Sequence, residues 1–411
     1  MVTRTTPHGG RPRAKGTGKR LPEGILCIGA APWHGMWARG QQFMDRLVRR
    51  GHRVLYVDPP VTYLSPLKNR ALGWHGERLT ALRPGLWVYR APLCLPFGNM
   101  YRVVNRLNQR RLARRLRRVI RELGWRPVLG WTYLPGTADL LPHLPDLFWC
   151  YDCADEHAAF PGLVNPRVVR DMERELLSRA DVVLVSARQL LERKQKYRPD
   201  LVLVPNGADV EHFSSAPEGD PPADIRDLPR PVVGYVGAIS EWLDQELVVA
   251  AARAYPRFSF VLVGPVTVDV RRLRSCPNVH LLGYRDYAIL PAYLKAFDLG
   301  LIPFKVNALT EHVNPVKLYE YLAAGLPVVA TDLPEVRPFT ALVRVARETG
   351  AFVRAVGEEV RANSPAQKRA RLEMAAAHSW DARLDLAWQA VTAARSRTPL
   401  DHRDPETREQ T

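Results

Sequence analysis

Between residues 24 and 346, short runs rich in Val, Ile and Leu alternate with segments whose apolar residues recur at helical spacing. The runs predict strands at Ile25–Ala30, Arg53–Asp58, Trp87–Ala91, Val128–Tyr133, Leu147–Asp152, Val182–Ala187 and Leu201–Asn206. A second series follows at Val232–Gly237, Ser259–Gly264, Val279–Gly283, Gly300–Phe304 and Val328–Asp332. Most are apolar throughout rather than alternating, as strands covered on both faces of a parallel sheet must be. Segments such as Met36–Arg50, Val168–Ala180, Leu243–Ala254 and Tyr287–Phe297 carry the amphipathic period of helices. A βαβα order of this kind predicts a doubly wound α/β architecture.

One Pro-, Gly- and acid-rich stretch, Ser214-Ser-Ala-Pro-Glu-Gly-Asp-Pro-Pro-Ala-Asp, interrupts the series and reads as a linker. The expected organisation is a basic tail (1–20), an acceptor-side Rossmann-like domain (21–213), a linker (214–230) and a second Rossmann-like domain (231–365). A terminal helical segment (366–396), with a long helix at Ala376–Ala394 packing back on the first domain, then leads into a polar tail (397–411). Two such domains facing each other enclose a cleft at the C-terminal ends of their strands.

Composition narrows the classes. The chain has 411 residues, 46% of them hydrophobic and 25% charged, which excludes global disorder. Its longest apolar stretches, such as Leu299–Phe304, are strand-length and far short of the ~20 residues of a membrane-spanning helix. Met1–Arg20 contains no apolar run of the secretory type, so a cytoplasmic location is expected. Five cysteines are too few for a disulfide framework. Cys150 and Cys153 form a C-x-x-C, but three positions apart on a strand they point to opposite faces and predict core packing rather than a metal or redox pair.

The most informative stretch is Glu311-His-Val-Asn-Pro-Val-Lys-Leu-Tyr-Glu-Tyr-Leu-Ala-Ala-Gly-Leu-Pro-Val-Val-Ala-Thr-Asp. Asn314 reads as the N-cap of a three-turn helix, Pro315 as its first position and Gly325 as its left-handed end. The N-terminus of that helix opens at the edge of the second sheet, where its free N–H groups and dipole favour an anion such as a diphosphate. Lys317 adds a full charge, and Glu320, on the same face, suits a pair of sugar hydroxyls. By spacing alone, a capped helix with a surface Lys–Glu pair explains the pattern equally well.

This stretch, with Val204-Pro-Asn-Gly-Ala-Asp and Gly234-Tyr-Val-Gly-Ala-Ile-Ser, resembles the nucleotide-sugar-binding region of the retaining family 4 glycosyltransferases, and within them the teichuronic acid biosynthesis branch. The resemblance covers about Gly24 to Arg383. It implies the GT-B fold, two Rossmann-like doubly wound domains facing a cleft. It implies donor binding by Gly237, Ala238, His312, Asn314, Pro315, Val316, Lys317 and Glu320, with Glu320 on the ribose. Two departures stand out: His312 occupies a position where the family commonly has a glutamate, and the Gly237-Ala-Ile-Ser-Glu-Trp-Leu loop lacks the usual Arg and Lys for the diphosphate.

In the first half, Ala31-Pro-Trp-His-Gly-Met-Trp-Ala-Arg-Gly-Gln-Gln-Phe follows a predicted strand and offers aromatic faces and donors for an acceptor. Trp33, His34 and Arg39 are its candidates, with packing beneath the cleft as the alternative for the tryptophans. Tyr151-Asp-Cys-Ala-Asp-Glu-His places three acids and a histidine where α/β enzymes put their chemistry. Asp152 reads as acceptor-side, and the resemblance puts Asp155 or His157 near the reacting centre, beside Lys317 as the third catalytic candidate.

The formal net charge is +17, and much of it gathers in Tyr101–Leu123, an amphipathic segment with a dense arginine face from Arg102 to Arg121. Such a face suits an anionic membrane surface. No aromatic-interleaved basic motif accompanies it, so nucleic acid is not expected as a partner. Neither a P-loop, a nucleophile elbow nor an H-E-x-x-H occurs.

The expected activity is therefore transfer of a sugar from a nucleoside diphosphate sugar, a co-substrate rather than a cofactor, to a hydroxyl of a cell-envelope glycan or lipid-linked acceptor. Retention, metal independence and a peripheral position on the inner face of the plasma membrane complete the expectation. The alternatives are a nucleotide-sugar epimerase of the same fold, a noncatalytic glycan-assembly subunit and a nucleic-acid-binding protein.

Overall fold

A computed structural model describes residues 23–68, 76–214 and 220–397. The expected basic tail, part of the linker and nearly all of the polar tail lie outside these residues.

The first domain runs β1 (Glu23–Ile28), α1 (Arg39–Arg49), β2 (Arg53–Val57), α2 (Ser65–Lys68), β3 (Arg78–Arg83), β4 (Leu86–Arg90) and α3 (Arg102–Leu123). It continues with β5 (Arg126–Thr132), β6 (Phe148–Cys153), α4 (Pro166–Arg179), β7 (Val182–Val185), α5 (Arg188–Lys194), β8 (Val202–Leu203) and α6 (Val210–Ser214). Its eight strands order as β3-β4-β2-β1-β5-β6-β7-β8, parallel except for the antiparallel β3–β4 pair. The strand order reverses between β1 and β5, so their C-terminal ends open a crevice.

The second domain contains β9 (Val232–Val236), α7 (Gln245–Ala254), β10 (Ser259–Val263), α8 (Arg271–Arg274), β11 (Val279–Gly283), α9 (Leu290–Ala296) and β12 (Leu299–Ile302). Then come α10 (Val316–Ala323), β13 (Val328–Thr331), β14 (Val343–Ala346), α11 (Thr349–Ala362) and α12 (Pro365–Ala377). All six strands pair in parallel in the order β11-β10-β9-β12-β13-β14, which puts the switch point between β9 and β12.

Helical packing explains both cores. The β9, β10, β12 and β13 strands are buried throughout, and one apolar cluster wraps the second sheet. The first sheet has a cluster on each face, and β6 shows why: Cys150 belongs to one and Cys153 to the other, as the two-residue strand period demands. Both are free thiols.

The single long helix expected at Ala376–Ala394 is instead two helices, α12 and α13 (Trp380–Arg397), broken at His378–Ser379. The break has a tertiary cause. Ala208 N–H donates to His378 O at 3.1 Å and Trp380 N–H to Ala208 O at 2.9 Å, so the backbone is pinned to the end of the first domain. Beyond the pin, Trp380, Leu384, Ala387 and Val391 of α13 enter the core beside Phe43 and Leu47 of α1. Burying each large side chain is worth roughly 1.5–3 kcal/mol.

Candidate active site

The second domain's switch point supplies two strand ends and a helix start. Gly237 follows β9 at φ +143° and Gly264 follows β10 at φ +152°. A Cβ on Gly264 would lie 2.0 Å from Gly237 O, and one on Gly237 would lie 3.1 Å from Lys317 Cε. Glycine is needed at both for the strand ends to approach each other and leave room for the lysine. After β12 the chain turns through Pro315 into α10, so Lys317 and Glu320 sit in its first turns on one face.

These groups line a cavity of about 200 Å³ with Ala238, Trp242, Tyr284, Arg285, Tyr287 and Val316. The first domain contributes Met36 and Trp37 to the same cavity, so it lies between the domains. Trp37 stacks on Tyr287 with centroids 5.2 Å apart and 12° between planes. Gln42 Nε2 donates to Tyr287 Oη at 2.9 Å, and Tyr284 Oη donates to Gly35 O at 3.3 Å.

The electrostatics of the cavity turn on Lys317 and Glu320. Neither Lys317 nor Glu320 makes a side-chain hydrogen bond or close ion pair to another described residue. Lys317 Nζ instead lies 4.5 Å from the Phe304 ring centroid and 5.3 Å from that of Tyr235. Burial lowers the Lys317 ammonium to about 8, offset in part by Glu320. Burial raises the Glu320 carboxyl to about 7, offset in part by Lys317. Two titratable groups perturbed in opposite senses within one cavity make it the candidate functional site. Among the described residues no cluster of three or more His, Cys, Asp or Glu side chains is arranged to hold a metal.

Of the donor-side residues expected from sequence, the cavity gathers Gly237, Ala238, Val316, Lys317 and Glu320, but not His312, Asn314 or Pro315. His312 is buried with Nδ1 2.8 Å from Ala308 O. Asn314 is not the N-cap; Pro315 takes that position in an extended conformation (φ −73°, ψ 114°). The Asn314 side chain is engaged elsewhere. Its Oδ1 accepts from Asn206 N–H at 3.1 Å, its Nδ2 donates to Glu335 Oε2 at 2.8 Å, and its backbone O accepts from Asn206 Nδ2 at 2.7 Å.

The acceptor-side candidates take part in the same chain of contacts. Arg39 Nε donates to both Asp152 oxygens at 2.9 Å, and its Nη1 reaches Pro205 O and Asn206 Oδ1 at 3.2 Å. Glu335 Oε1 accepts from Arg188 N–H at 2.7 Å. Asp152, Arg39, Asn206, Asn314 and Glu335 are all buried and form one polar seam across the domain boundary. Trp33 is also buried, its ring packed edge-on against Tyr56 and its backbone N–H donating to Asp58 Oδ1 at 2.9 Å, while His34 is exposed. None of these lines the cavity.

Asp155 and His157 follow β6 at the first sheet's C-terminal edge, also outside the cavity lining. Burial raises the Asp155 carboxyl, opposed by His157. His157 Nε2 is a buried atom with no hydrogen-bond partner among the described residues.

Sequence reasoning weighed Trp37 only among the acceptor-side aromatics and missed Tyr287 and Arg285. Arg285 stands two residues beyond β11, a strand-end position that could have been read as cavity-facing. Arg285 lines the cavity with its guanidinium paired to Asp224 Oδ2 at 2.7 Å and held by Tyr293 Oη at 2.9 Å and Leu282 O at 2.7 Å.

Two parallel-sheet domains facing such a cleft constitute the GT-B fold of glycosyltransferases. Across 92% of this chain and all of the other, the fold matches sucrose-phosphate synthase from Thermosynechococcus elongatus (TM-score 0.69, 18% identity). It also matches Anabaena HepE in complex with UDP and glucose over 90% of this chain and all of that one (TM-score 0.61, 13% identity).

Residues 230–362 match the model of the family Glycosyl transferases group 1. The Bacillus subtilis (strain 168) protein named "Putative teichuronic acid biosynthesis glycosyltransferase TuaH" is 32% identical over 223 residues, covering 50% of this chain and 55% of that protein. The match thus spans about half the length of this relative.

Proposed function

We propose that the protein transfers a sugar from a nucleoside diphosphate sugar to a hydroxyl of a cell-envelope glycan or lipid-linked acceptor, with retention and without a metal. The carrying observation is the unpartnered Lys317–Glu320 pair in a cavity between the domains, with Gly237 shaped around the lysine. Glu320 accepts hydrogen bonds from the ribose hydroxyls. Lys317 and the first turn of α10 face the diphosphate, supplying positive charge that the Gly237–Leu243 loop lacks. As the bond from the anomeric carbon to the diphosphate oxygen breaks, charge grows on that oxygen, and stabilising it there lowers the barrier. The acceptor oxygen bonds to the anomeric carbon on the face the diphosphate leaves, and its proton passes to the departing diphosphate. Asp155 and His157 face the acceptor side in this reading. The 55%-covered relative, whose name refers to teichuronic acid biosynthesis, supports an envelope glycan as the acceptor.

The surface of α3 supports peripheral membrane contact as part of the proposal. Tyr101, Val103 and Leu107 are exposed at its start, and Arg110, Arg111, Arg114 and Arg117 continue the same solvent face without an acidic partner among the described residues. No helix among the described residues is long and apolar enough to cross a membrane.

The test is a thermal-shift screen of UDP-, GDP-, dTDP- and ADP-sugars against the protein and its Glu320→Ala variant. One nucleotide class is expected to raise the melting temperature of the native protein and to lose most of that effect in the variant. A shift unchanged in the variant removes Glu320 from the ribose.

A further inference from the structure

We infer that Trp37, a first-domain residue, is a positioning residue for the nucleotide end of the donor, acting through Tyr287 across the domain boundary. The inference rests on reading the cavity as a donor site.

Among the described residues, Met36 and Trp37 are the only ones of the first domain in the cavity's lining. Of the two, Met36 is 42% exposed, so the flat, half-buried indole forms the first domain's wall. It lies nearly parallel to Tyr287, which itself stacks on His212 (4.4 Å, 12°). The phenol is also held from the first domain. Arg46 Nη1 donates to Gln42 Oε1 at 2.6 Å, which turns Gln42 Nε2 toward Tyr287 Oη. Arg46 is fixed in turn by Asp209 at 3.2 Å and Asp381 at 3.0 Å.

Because Gln42 donates to the phenol oxygen, the Tyr287 hydroxyl proton is left for another acceptor. Tyr287 stands near the Glu320 carboxylate, which together with burial raises the phenol's pKa. The wall beside the ribose-binding carboxylate is therefore in place only when the two domains meet. A nucleotide seated there is screened from water on its first-domain side by the indole. Aromatic pairs of this geometry add about 0.5–1.5 kcal/mol beyond buried area. The expected effect is thus modest but specific.

Two measurements on the full chain test this. The first is the dissociation constants of UDP, GDP, ADP and dTDP for wild type, Trp37→Ala and Trp37→Phe. The nucleotide bound by wild type should bind Trp37→Ala about threefold to tenfold more weakly, with Trp37→Phe recovering most of the loss. The second is small-angle scattering of the unliganded proteins, where Trp37→Ala should show a larger radius of gyration than wild type and Trp37→Phe should not. An unliganded Trp37→Ala as compact as wild type, or a nucleotide affinity unchanged by Trp37→Ala, overturns the inference. Failure of all four nucleotides to bind wild type defeats the donor reading instead, and the scattering comparison then judges the interdomain contact alone.

Discussion

Two polar regions lie on either side of the start of α10, and they differ in one respect. In the seam, Asp152, Arg39, Asn206, Asn314 and Glu335 hold one another through hydrogen bonds of 2.7–3.2 Å. In the cavity, half-buried Lys317 and buried Glu320 have no such partners among the described residues. A polar group removed from water is costly unless it is paired, and natural proteins keep unpaired ones where a ligand completes them. The seam is thus read as architecture and the cavity as chemistry, although the sequence presents both as the same kind of motif.

The largest effect expected from breaking the comparison is in the seam. Asp152→Ala leaves the Arg39 guanidinium buried and removes the acceptor of Trp131 Nε1. Equilibrium denaturation should show a loss of about 3–5 kcal/mol. A change below 1 kcal/mol would mean that the seam is not holding the domains.

The cavity should respond in the opposite sense. Glu320→Gln removes a desolvated ionisable group, so stability should stay level or rise, while nucleotide-sugar affinity drops about tenfold to a hundredfold, the worth of hydrogen bonds to a charged acceptor. Calorimetric titration beside a melting curve separates the two. A variant that loses stability and affinity together would place Glu320 with the seam.

pH sharpens the contrast further. The folded chain keeps a proton on Glu320 between about 4.5, its ordinary value, and about 7. That group's contribution to stability is full below 4.5 and is lost as pH rises through 7. Lys317 releases its proton near 8 when folded and near 10.5 when unfolded, so its contribution is present above 10.5 and lost as pH falls through 8. A diphosphate favours the ammonium and a ribose diol the carboxylate. Donor affinity should therefore be greatest between about 7 and 8, falling up to about tenfold per unit outside that window. A flat affinity profile from pH 6 to 9 would contradict both assignments.

The smallest effect belongs to the surface. Arg111→Glu with Arg114→Glu should move stability by no more than about 0.5 kcal/mol, yet reduce sedimentation with phosphatidylglycerol vesicles, at about 1 kcal/mol per lost contact. Equal binding by variant and wild type would leave α3 a solvated face.

What was legible in the sequence follows the same division. Each of the twelve apolar runs overlaps a strand of the structure, and most are parallel strands covered on both faces; β8 and β11, at sheet edges, are only partly buried. The two strands not foreseen, β3 and β14, are edge strands with mixed polarity, Arg-Leu-Thr-Ala-Leu-Arg and Val-Arg-Val-Ala. Lys317 and Glu320 could be paired because one helix carries both at a three-residue spacing. Trp37 and Tyr287 could not, since 250 residues separate them and only the meeting of two domains brings them together. Asn314 illustrates the opposite error: a residue with a cap's chemistry was recruited by a tertiary partner, Asn206, instead of by its own helix.

The return of α13 to the first domain bears on the order of assembly. The layer over one side of the first sheet is completed by Trp380, Leu384, Ala387 and Val391, which leave the ribosome after the whole second domain. Synthesised from its N-terminus, the chain must hold that side open until those residues arrive, a long-range closure that slows maturation and leaves Phe43 and Leu47 exposed to chaperones in the interval.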